Sequence, residues 1–343
     1  MTTGMDSRMF KEAGQAPNVV RGQLENNAVN VRRIGALLRE MSPRAVVTCA
    51  RGSSDHAATF AKYLIESHTK LLTTSFSPSM SSLYNAQTDM RGVVFLVISQ
   101  SGKSPDLLAS AENAKRNGAC VIALCNSPAS PLAQMSHHTI PLSAGPETSV
   151  AATKSYIASL SAIVHLVACW TSDQTLINSL MRAPDQLEQA WQLDWSAAVP
   201  ALQRAINLFV VGRGYGLGVA QEAALKFKET CGLHAEAFSA AEVKHGPMAL
   251  VGRGFPVLML SQNDESRSGI EKLATDFVAR GADVLVAGPR VTGSIPLPTI
   301  SSHAVIEPLL MVQSFYRMIA ALAPARGFDP DQPPHLNKVT ETL

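Results

Sequence analysis

The chain contains one pattern twice, and this repetition constrains its fold more than any other feature. Three landmarks occur in the first half of the chain and recur 162 or 163 positions later. They are a strand-like run that ends in Arg-Gly, an apolar run that ends in Ser-Gln, and a third apolar run that is preceded by Gly-Ala. The paired positions are Arg51 and Arg213, Ser99 and Ser261, and Gly118 and Gly281. A nearly constant spacing over three landmarks indicates a duplicated domain.

Within each copy, short apolar runs alternate with helix-like segments. The run 93–98 is continuous and rich in β-branched residues, as expected for a strand that is covered on both faces. This alternation predicts an α/β fold with two tandem domains, each a parallel sheet flanked by helices in the doubly wound, flavodoxin-like arrangement. Ligands of such sheets bind at the carboxyl ends of the strands.

We predict five segments along the chain. They are an N-terminal helical arm (1–41), a first domain (42–180), a connecting helix (181–194), a second domain (195–326) and a C-terminal tail (327–343) that carries Lys338. The tail is interrupted by prolines, so it cannot be helical throughout.

Composition excludes several classes of function. The 343 residues carry a net charge of +2 and are 46% hydrophobic, which is typical of a soluble globular protein and implies no nucleic-acid or membrane partner. The most apolar stretch, 155–170, is interrupted by serines and by His165, which favours a buried helix. The cysteines are scattered, lack a CxxC pair and suit structural thiols in a reducing cytoplasm: Cys49, Cys120, Cys125, Cys169 and Cys231.

A serine-rich segment follows the apolar run 93–98 and precedes a predicted helix. Its residues are Ser99, Gln100, Ser101, Gly102, Lys103 and Ser104. Small donors, a glycine and a helix N-terminus together indicate an anion site, and a phosphate ester is the natural occupant. An ordinary turn whose serines cap the helix is the alternative reading.

Two nucleotide motifs are excluded by spacing. Gly102-Lys103-Ser104 resembles the end of a phosphate-binding loop of the NTPases, but that motif needs a glycine where Val97 stands. The glycines between Gly212 and Gly218 lack the third glycine or alanine that a dinucleotide site requires.

A second segment, 226–247, is rich in side chains that can act as acids or bases. Lys226 and Glu229 lie three residues apart on a predicted helix, where they form either an ordinary surface ion pair or part of a site. The stretch 234–245 then holds two histidines, two glutamates and a lysine, and Gly246-Pro247 is expected to end a helix there and fix His245. The spacing of His234, Glu236 and His245 matches no familiar metal-ligand set, so no metal is expected.

Together these motifs resemble the sugar isomerase (SIS) family, and most closely the isomerase half of the glutamine–fructose-6-phosphate aminotransferases. The resemblance covers nearly the whole chain. It is carried by Ser99-Gln100-Ser101-Gly102, Val150-Ala151-Ala152-Thr153-Lys154, Ala224-Leu225-Lys226-Phe227-Lys228-Glu229, Lys244-His245-Gly246-Pro247 and the lysine of the tail.

The resemblance implies a role for each matching residue. Glu229 would move a proton between C1 and C2 of a sugar, Lys226 would assist at the C1 oxygen, Arg213 would stabilise the enolamine or enediol, His245 would open the ring and Lys338 would engage the open-chain ketose. The phosphate would be held by Ser53, Ser54, Ser99, Gln100, Ser101 and Ser104, and the sugar would lie against Gly52, Val150 and Ala152. No cofactor is implied.

Departures from the family pattern bear on the reaction. Only the helical arm precedes the first predicted strand, where the aminotransferases carry a glutaminase domain, so the resemblance implies deamination: glucosamine 6-phosphate plus water gives fructose 6-phosphate plus ammonia. Ala152 stands where serine is usual and Lys103 where an acid is usual, and both changes bear on which sugar is the substrate. A galactosamine-6-phosphate deaminase/ketose isomerase and a fructosamine-6-phosphate deglycase are alternatives.

The assembly and a second class of function follow from the same resemblance. In this family the ring-opening histidine is typically donated by the partner subunit, so we expect a homodimer with shared active sites. A sugar-phosphate sensor without turnover is the alternative from another class. The retained Glu229, Lys226, His245 and Lys338 favour the enzyme, because a sensor needs only the serine loop.

Overall fold

A computed structural model describes residues 4–338, which form two compact units. The first unit contains Asn18–Glu147 and Ser155–Met181. The second unit contains residues 4–17, the segment Thr148–Lys154, and Arg182–Lys338. The segment Thr148–Lys154 thus lies within the first copy by sequence but packs with the second unit. The five predicted segment boundaries stay a prediction.

Each unit contains one five-stranded sheet. The strands of the first are β1 Ala45–Cys49, β2 Thr73–Ser75, β3 Val93–Ser99, β4 Cys120–Cys125 and β5 His138–Pro141. Those of the second are β6 Asn207–Gly212, β7 His234–Ser239, β8 Pro256–Leu260, β9 Asp283–Ala287 and β10 Ile295–Leu297.

Helices precede, connect and follow the strands. They are α1 Arg8–Ala13, α2 Ala16–Met41, α3 Ser53–Thr69, α4 Ser79–Ser82, α5 Pro105–Arg116, α6 Pro131–Met135, α7 Lys154–Thr171, α8 Gln174–Met181, α9 Ala183–Gln192, α10 Ala198–Gln203, α11 Gly216–Cys231, α12 Arg267–Ala279 and α13 Glu307–Ala325. Short 3₁₀ turns occur at Gly4–Asp6, Glu242–Lys244 and Pro247–Leu250.

The two sheets have the same topology. The first has the order β2-β1-β3-β4-β5, the second has β7-β6-β8-β9-β10, and all pairs are parallel. Numbered within its own copy, each order is 2-1-3-4-5, which is the flavodoxin-like order. The predicted fold class is therefore confirmed, and the duplication seen in the sequence is a duplication of topology.

Burial explains why the central strands are so apolar. Every residue of β3 and of β8 is buried, because helices cover both faces of each sheet. In the first sheet, β1 pairs with β3 so that Cys49 lies opposite Val97. The loops that leave β1 and β3 therefore begin side by side at the carboxyl edge of this sheet.

The stretch 234–245 differs from the helix expected there. Its first half, His234–Ser239, is the strand β7, which pairs with β6, and only a 3₁₀ turn at Glu242–Lys244 precedes His245. The helix prediction was wrong because strand pairing to β6 overrides the local helix propensity of alanine and glutamate. Gly246 follows with φ 133°, a conformation open to glycine alone.

Other local predictions agree with the structure. The apolar stretch 155–170 lies inside the buried helix α7, and the described part of the tail, 327–338, forms turns without a helix or strand. The five cysteines are free thiols, and burial raises the pKa of Cys49 to about 12. In the described part of the chain no helix combines the length and apolar composition that crossing a bilayer requires.

Helix α2 provides a matched test of close packing in the first unit. A Cβ at Gly35 would lie 2.7 Å from the backbone carbonyl carbon of Cys169 on α7, whereas a Cβ at Gly22 of the same helix meets nothing within 4 Å. We expect Gly35→Ala to lower the free energy of unfolding by about 1–3 kcal/mol through overpacking. Gly22→Ala should raise it by up to about 1 kcal/mol through helix propensity. Denaturant titration of both variants checks this, and equal effects would contradict close α2–α7 packing.

Candidate active site

The loop that follows β3 is shaped by its own hydroxyls. Ser99, the buried last residue of β3, accepts a hydrogen bond from the amide of Gly102 at 3.2 Å. Ser101 Oγ accepts one from the amide of Lys103 at 3.3 Å. A hydroxyl that accepts in this way keeps its own proton to donate. Both serines can therefore still donate to a ligand at the carboxyl edge of the sheet.

Two further features open this loop toward an anion. Gly102 has φ +62°, and a Cβ there would lie 2.4 Å from Ser130 Oγ, so only glycine fits. Ser104 is the residue before the first turn of α5, but its side chain makes no capping hydrogen bond. The alternative in which the loop's serines only cap the helix therefore fails for Ser104. The first amides of α5 lack a side-chain cap from it.

The loop after β1 has the same character. Gly52 adopts φ +57° before α3, with open space where its Cβ would lie, and Ser53 and Ser54 are the first residues of that helix. An ion pair ties the two loops together, since Arg51 Nε lies 2.8 Å from Asp106 Oδ2 in the first turn of α5.

The first unit thus brings together most of the predicted phosphate site. Two helix N-termini and two serine-bearing loops meet at one sheet edge, and Gln100 lies half-buried between Ser99 and Ser101. Helix N-termini favour negative charge, and clustered backbone amides hold oxyanions. Lys103 is exposed beside them and adds a positive charge. This arrangement can hold a phosphate ester.

The equivalent loop of the second unit already holds a carboxylate of its own chain. Asp264 accepts hydrogen bonds from Gln262 Nε2 at 2.7 Å and from the amide and Oγ of Ser266 at 2.9 and 2.5 Å. The donors that follow β8 are therefore engaged internally. The two copies have therefore diverged, and the loop of the second is not a phosphate site of the same quality as that of the first.

Helix α11 carries a buried cation between two carboxylates. Lys226 Nζ lies 2.5 Å from Glu229 Oε2 and 3.2 Å from Glu222 Oε1. Glu222 also accepts a hydrogen bond from the hydroxyl of Tyr316 at 3.0 Å. The side chains of Lys226 and Glu222 are fully buried, while that of Glu229 is 18% exposed. The reading as an ordinary surface ion pair is therefore wrong.

The electrostatics keep this lysine charged. Burial alone would lower the pKa of Lys226, but the nearby carboxylates of Glu222 and Glu229 outweigh that effect and raise the pKa above its ordinary value. Lys226 therefore remains an ammonium and fixes the orientation of the Glu229 carboxylate. Glu229 is the member of this trio that solvent, and hence a ligand, can reach.

The other predicted catalytic residues belong to the same unit as Glu229. Arg213 follows β6 and is exposed, and its carbonyl accepts a hydrogen bond from Gln262 Nε2 at 2.8 Å. His245 is exposed after the 3₁₀ turn that succeeds β7. Lys338 is half-buried at the end of the described tail. Their predicted roles stay predictions.

The predicted sugar-contacting residues are divided between the units. Gly52 lies with the serine loops of the first unit, whereas Val150 and Ala152 are half-buried in the segment Thr148–Lys154 of the second.

Sequence reasoning missed Glu222 as a site residue. A signal for it was present, because it lies four residues before Lys226 on a helix otherwise rich in alanine. A glutamate and a lysine at that spacing share a helix face. Only the structure shows that this face is turned inward.

Comparison with known proteins identifies the family. The profile of the SIS domain matches residues 41–168 and 201–287, more than half of the chain. The chain belongs to the SIS domain family, as the motifs predicted. The first matched region contains all five strands of the first sheet, and the second contains β6 to β9 of the second sheet, so the two SIS domains correspond to the two copies.

Three individual relatives are informative. The glutamine–fructose-6-phosphate aminotransferase [isomerizing] of Thermotoga maritima is 31% identical over 96% of this chain, which spans only 58% of that relative's length. A crystal structure of a candidate phosphosugar isomerase from Silicibacter pomeroyi DSS-3 is 44% identical, with a TM-score of 0.91 over 95% of this chain and 100% of that one. Glucosamine-6-phosphate deaminase of Thermotoga maritima shares the fold at 22% identity, with a TM-score of 0.80 over 98% of this chain and 100% of that one.

The buried trio on α11 predicts a large difference between two neighbouring lysines. Lys226→Met leaves Glu222 buried without its cation, so we expect the free energy of unfolding to fall by about 3–5 kcal/mol. Lys228→Met, on the exposed face of the same helix, should change it by no more than about 0.5 kcal/mol. Denaturant titration followed by circular dichroism compares the two. Similar losses would show that Lys226 is not the counter-charge of Glu222.

Proposed function

We propose that this protein is an amino-sugar phosphate deaminase of the SIS family. The proposed reaction converts glucosamine 6-phosphate and water to fructose 6-phosphate and ammonia. The observation that carries the proposal is the buried Lys226 ammonium, which fixes the partly exposed Glu229 carboxylate as a single oriented base. The chemistry of a phosphosugar isomerase requires such a base.

The phosphate would be held at the first unit. A dianion would find neutral donors and positive dipole ends there. The dipole ends are the N-termini of α3 and α5, and the donors are the amide of Gln100 and the hydroxyls of Ser53, Ser54, Ser99, Ser101 and Ser104. Binding energy from this remote group can be used to orient C1 and C2.

The proton transfer would be the work of Glu229. After ring opening, the carboxylate takes the proton from C2 while the C1 oxygen takes a proton from solvent, which gives an enolamine. Glu229 then returns its proton to C1 while the nitrogen releases a proton to solvent, which gives the ketimine at C2. Water adds to that carbon, and ammonia leaves as the C2 carbonyl forms. Each positioned acid–base step of this kind contributes about 10²–10⁴-fold to the rate.

The remaining residues would assist around this base. Lys226 was expected to assist at the C1 oxygen, but its side chain is fully buried, so we propose that it stays protonated and acts by holding the carboxylate. Arg213 would place a positive charge where the enolamine oxygen gains electron density. His245 would protonate the ring oxygen during ring opening, and Lys338 would contact the open-chain sugar. Water is the one co-reactant that this sequence of steps consumes.

The relatives support the class of reaction rather than the individual sugar. The aminotransferase of Thermotoga maritima is named for fructose 6-phosphate and for an isomerisation, and the candidate isomerase from Silicibacter pomeroyi is named for phosphosugars. The deaminase from Thermotoga maritima shares the fold. The choice of glucosamine 6-phosphate therefore follows the resemblance to the glutamine–fructose-6-phosphate aminotransferases, and it is open to direct assay.

A substrate panel tests the proposal. We expect the purified protein to release ammonia and a ketose phosphate from glucosamine 6-phosphate faster than from galactosamine or fructosamine 6-phosphate. Glu229→Gln should lower kcat by at least about 10²-fold, because it removes the base, while sugar-phosphate binding persists. Lys228→Gln on the same helix is the matched control and should leave kcat unchanged.

Each outcome of this panel has a distinct meaning. If only galactosamine or fructosamine 6-phosphate releases ammonia, the proposed type of reaction stands and the proposed substrate is wrong. Binding without turnover of any ester would indicate a sensor. Unchanged turnover in Glu229→Gln would refute the assignment of the base.

We further propose a homodimer in which His245 completes the partner's site. The exposed position of His245, beyond the edge strand β7 of its own sheet, supports this arrangement. A dimer of one His245→Ala and one Glu229→Gln subunit would contain one site with both groups intact. Random exchange of the two inactive variants should therefore restore about a quarter of wild-type activity.

The control for this experiment mixes Glu229→Gln with Glu229→Ala, which cannot rebuild a site. Ammonia release is measured after subunit exchange has been confirmed by native mass spectrometry. Confirmed mixed dimers without activity would show that the sites are not shared.

A further inference from the structure

A buried glutamate outside the predicted site holds the segment that carries Val150 and Ala152. Glu12 lies on α1, and its side chain is turned toward Thr148 and Ser149 in the same unit. Its Oε1 accepts from the amide and Oγ1 of Thr148 at 2.6 and 2.9 Å. Its Oε2 accepts from the amide and Oγ of Ser149 at 3.1 and 2.6 Å.

This contact requires a carboxylate. Four donors converge on two oxygens, and both Glu12 and Ser149 are buried, so water cannot easily replace an acceptor that is lost at Ser149. Burial by itself would raise the pKa of Glu12, but the hydrogen bonds from Ser149 and Thr148 outweigh it and lower the pKa below its ordinary value. The group is therefore ionised at neutral pH, and its hydrogen bonds are charge-assisted. A glutamine would present an NH₂ group to two of the donors.

The same end of the chain supports the other side of the segment. Lys154 Nζ donates to Gln15 Oε1 at 2.7 Å, so residues near the α1–α2 junction contact Thr148–Lys154 at both ends. Val150 and Ala152 lie between these contacts. Fixing both ends of so short a segment restricts the backbone that lies between them.

Helix α1 also receives the tail. The carboxylate of Asp331 accepts hydrogen bonds from the amides of Arg8 and Met9 at 2.7 and 2.9 Å. The tail that continues to Lys338 is therefore attached to the helix that carries Glu12. Two segments with predicted substrate contacts thus depend on one six-residue helix.

We propose that Glu12 is a positioning residue for substrate: it holds Thr148 and Ser149 so that Val150 and Ala152 present the surface that receives the sugar. This inference rests on the proposed function, because it assumes that a sugar phosphate binds there. Glu12 itself is buried and acts through the segment, without touching the sugar. Its loss should weaken recognition of the sugar and spare recognition of the phosphate, which the first unit holds.

The test compares Glu12→Gln with the wild type using two probes. With fructose 6-phosphate, calorimetry should show Kd raised about tenfold, the equivalent of one lost charge-assisted hydrogen bond. With inorganic phosphate, Kd should be unchanged. In turnover of the amino-sugar phosphate, KM should rise by a similar factor with kcat within about twofold, since uniform binding is what is lost. Glu25→Gln, an exposed carboxylate on α2, is the matched control.

The outcomes separate this inference from the function on which it rests. A wild-type protein that binds no sugar phosphate refutes both. A wild-type protein that binds or turns over the sugar, with Glu12→Gln unchanged, refutes the positioning role alone. If Glu12→Gln weakens the binding of fructose 6-phosphate and of inorganic phosphate equally, Glu12 has a general structural role, and the positioning role is refuted.

A milder variant covers the case in which Glu12→Gln does not fold. Thr148→Val removes one of the four donors and leaves both backbone amides in place. It should raise the Kd for fructose 6-phosphate by a smaller factor, with that for inorganic phosphate again unchanged. If Thr148→Val binds both probes as the wild type does while Glu12→Gln is unfolded, Glu12 serves stability and the positioning role is refuted.

Discussion

The orientation of the Glu229 carboxylate depends on the ammonium group of Lys226, which has no contact with solvent. An isolated charge in such a place would cost several kcal/mol, and it is tolerated here because Glu222 and Glu229 flank it. The two carboxylates differ in their exposure to solvent. Glu222 is buried against Lys226 and Tyr316, whereas the Glu229 side chain is partly exposed. A buried ion pair thus becomes a support for one reachable carboxylate.

The two sheets show how a duplicated scaffold can specialise. Both copies place a loop after their central strand at the carboxyl edge, where parallel sheets bind ligands. In the first copy the serine hydroxyls of that loop accept from nearby amides and keep protons for a ligand. In the second copy Asp264 occupies the donors that follow β8. An internal carboxylate repels a dianion, so the divergence of a few side chains leaves the loop of the first copy as the proposed phosphate site.

The fold could be predicted largely from the sequence, and particular residues show why. The continuous run 93–98 admits few structures other than a strand covered on both faces, and the recurrence of Arg51 and Ser99 at a constant spacing required the same unit twice. The stretch after His234 was misjudged because its alanines and glutamates favour a helix locally, while pairing to β6 is a long-range interaction. Local propensity is weak against a complete ladder of hydrogen bonds.

The sequence by itself determined the α/β class, the duplication, the family and the serine loop, because these depend on periodicity, spacing and short contiguous motifs. Tertiary structure alone decided which charged groups are buried. It turned Lys226 inward against Glu222, and it brought Glu12 to Thr148, more than a hundred residues away along the chain. Burial and long-range partners determine whether a carboxylate is a solvated side chain or a fixed acceptor, and neither can be read from neighbours in the sequence.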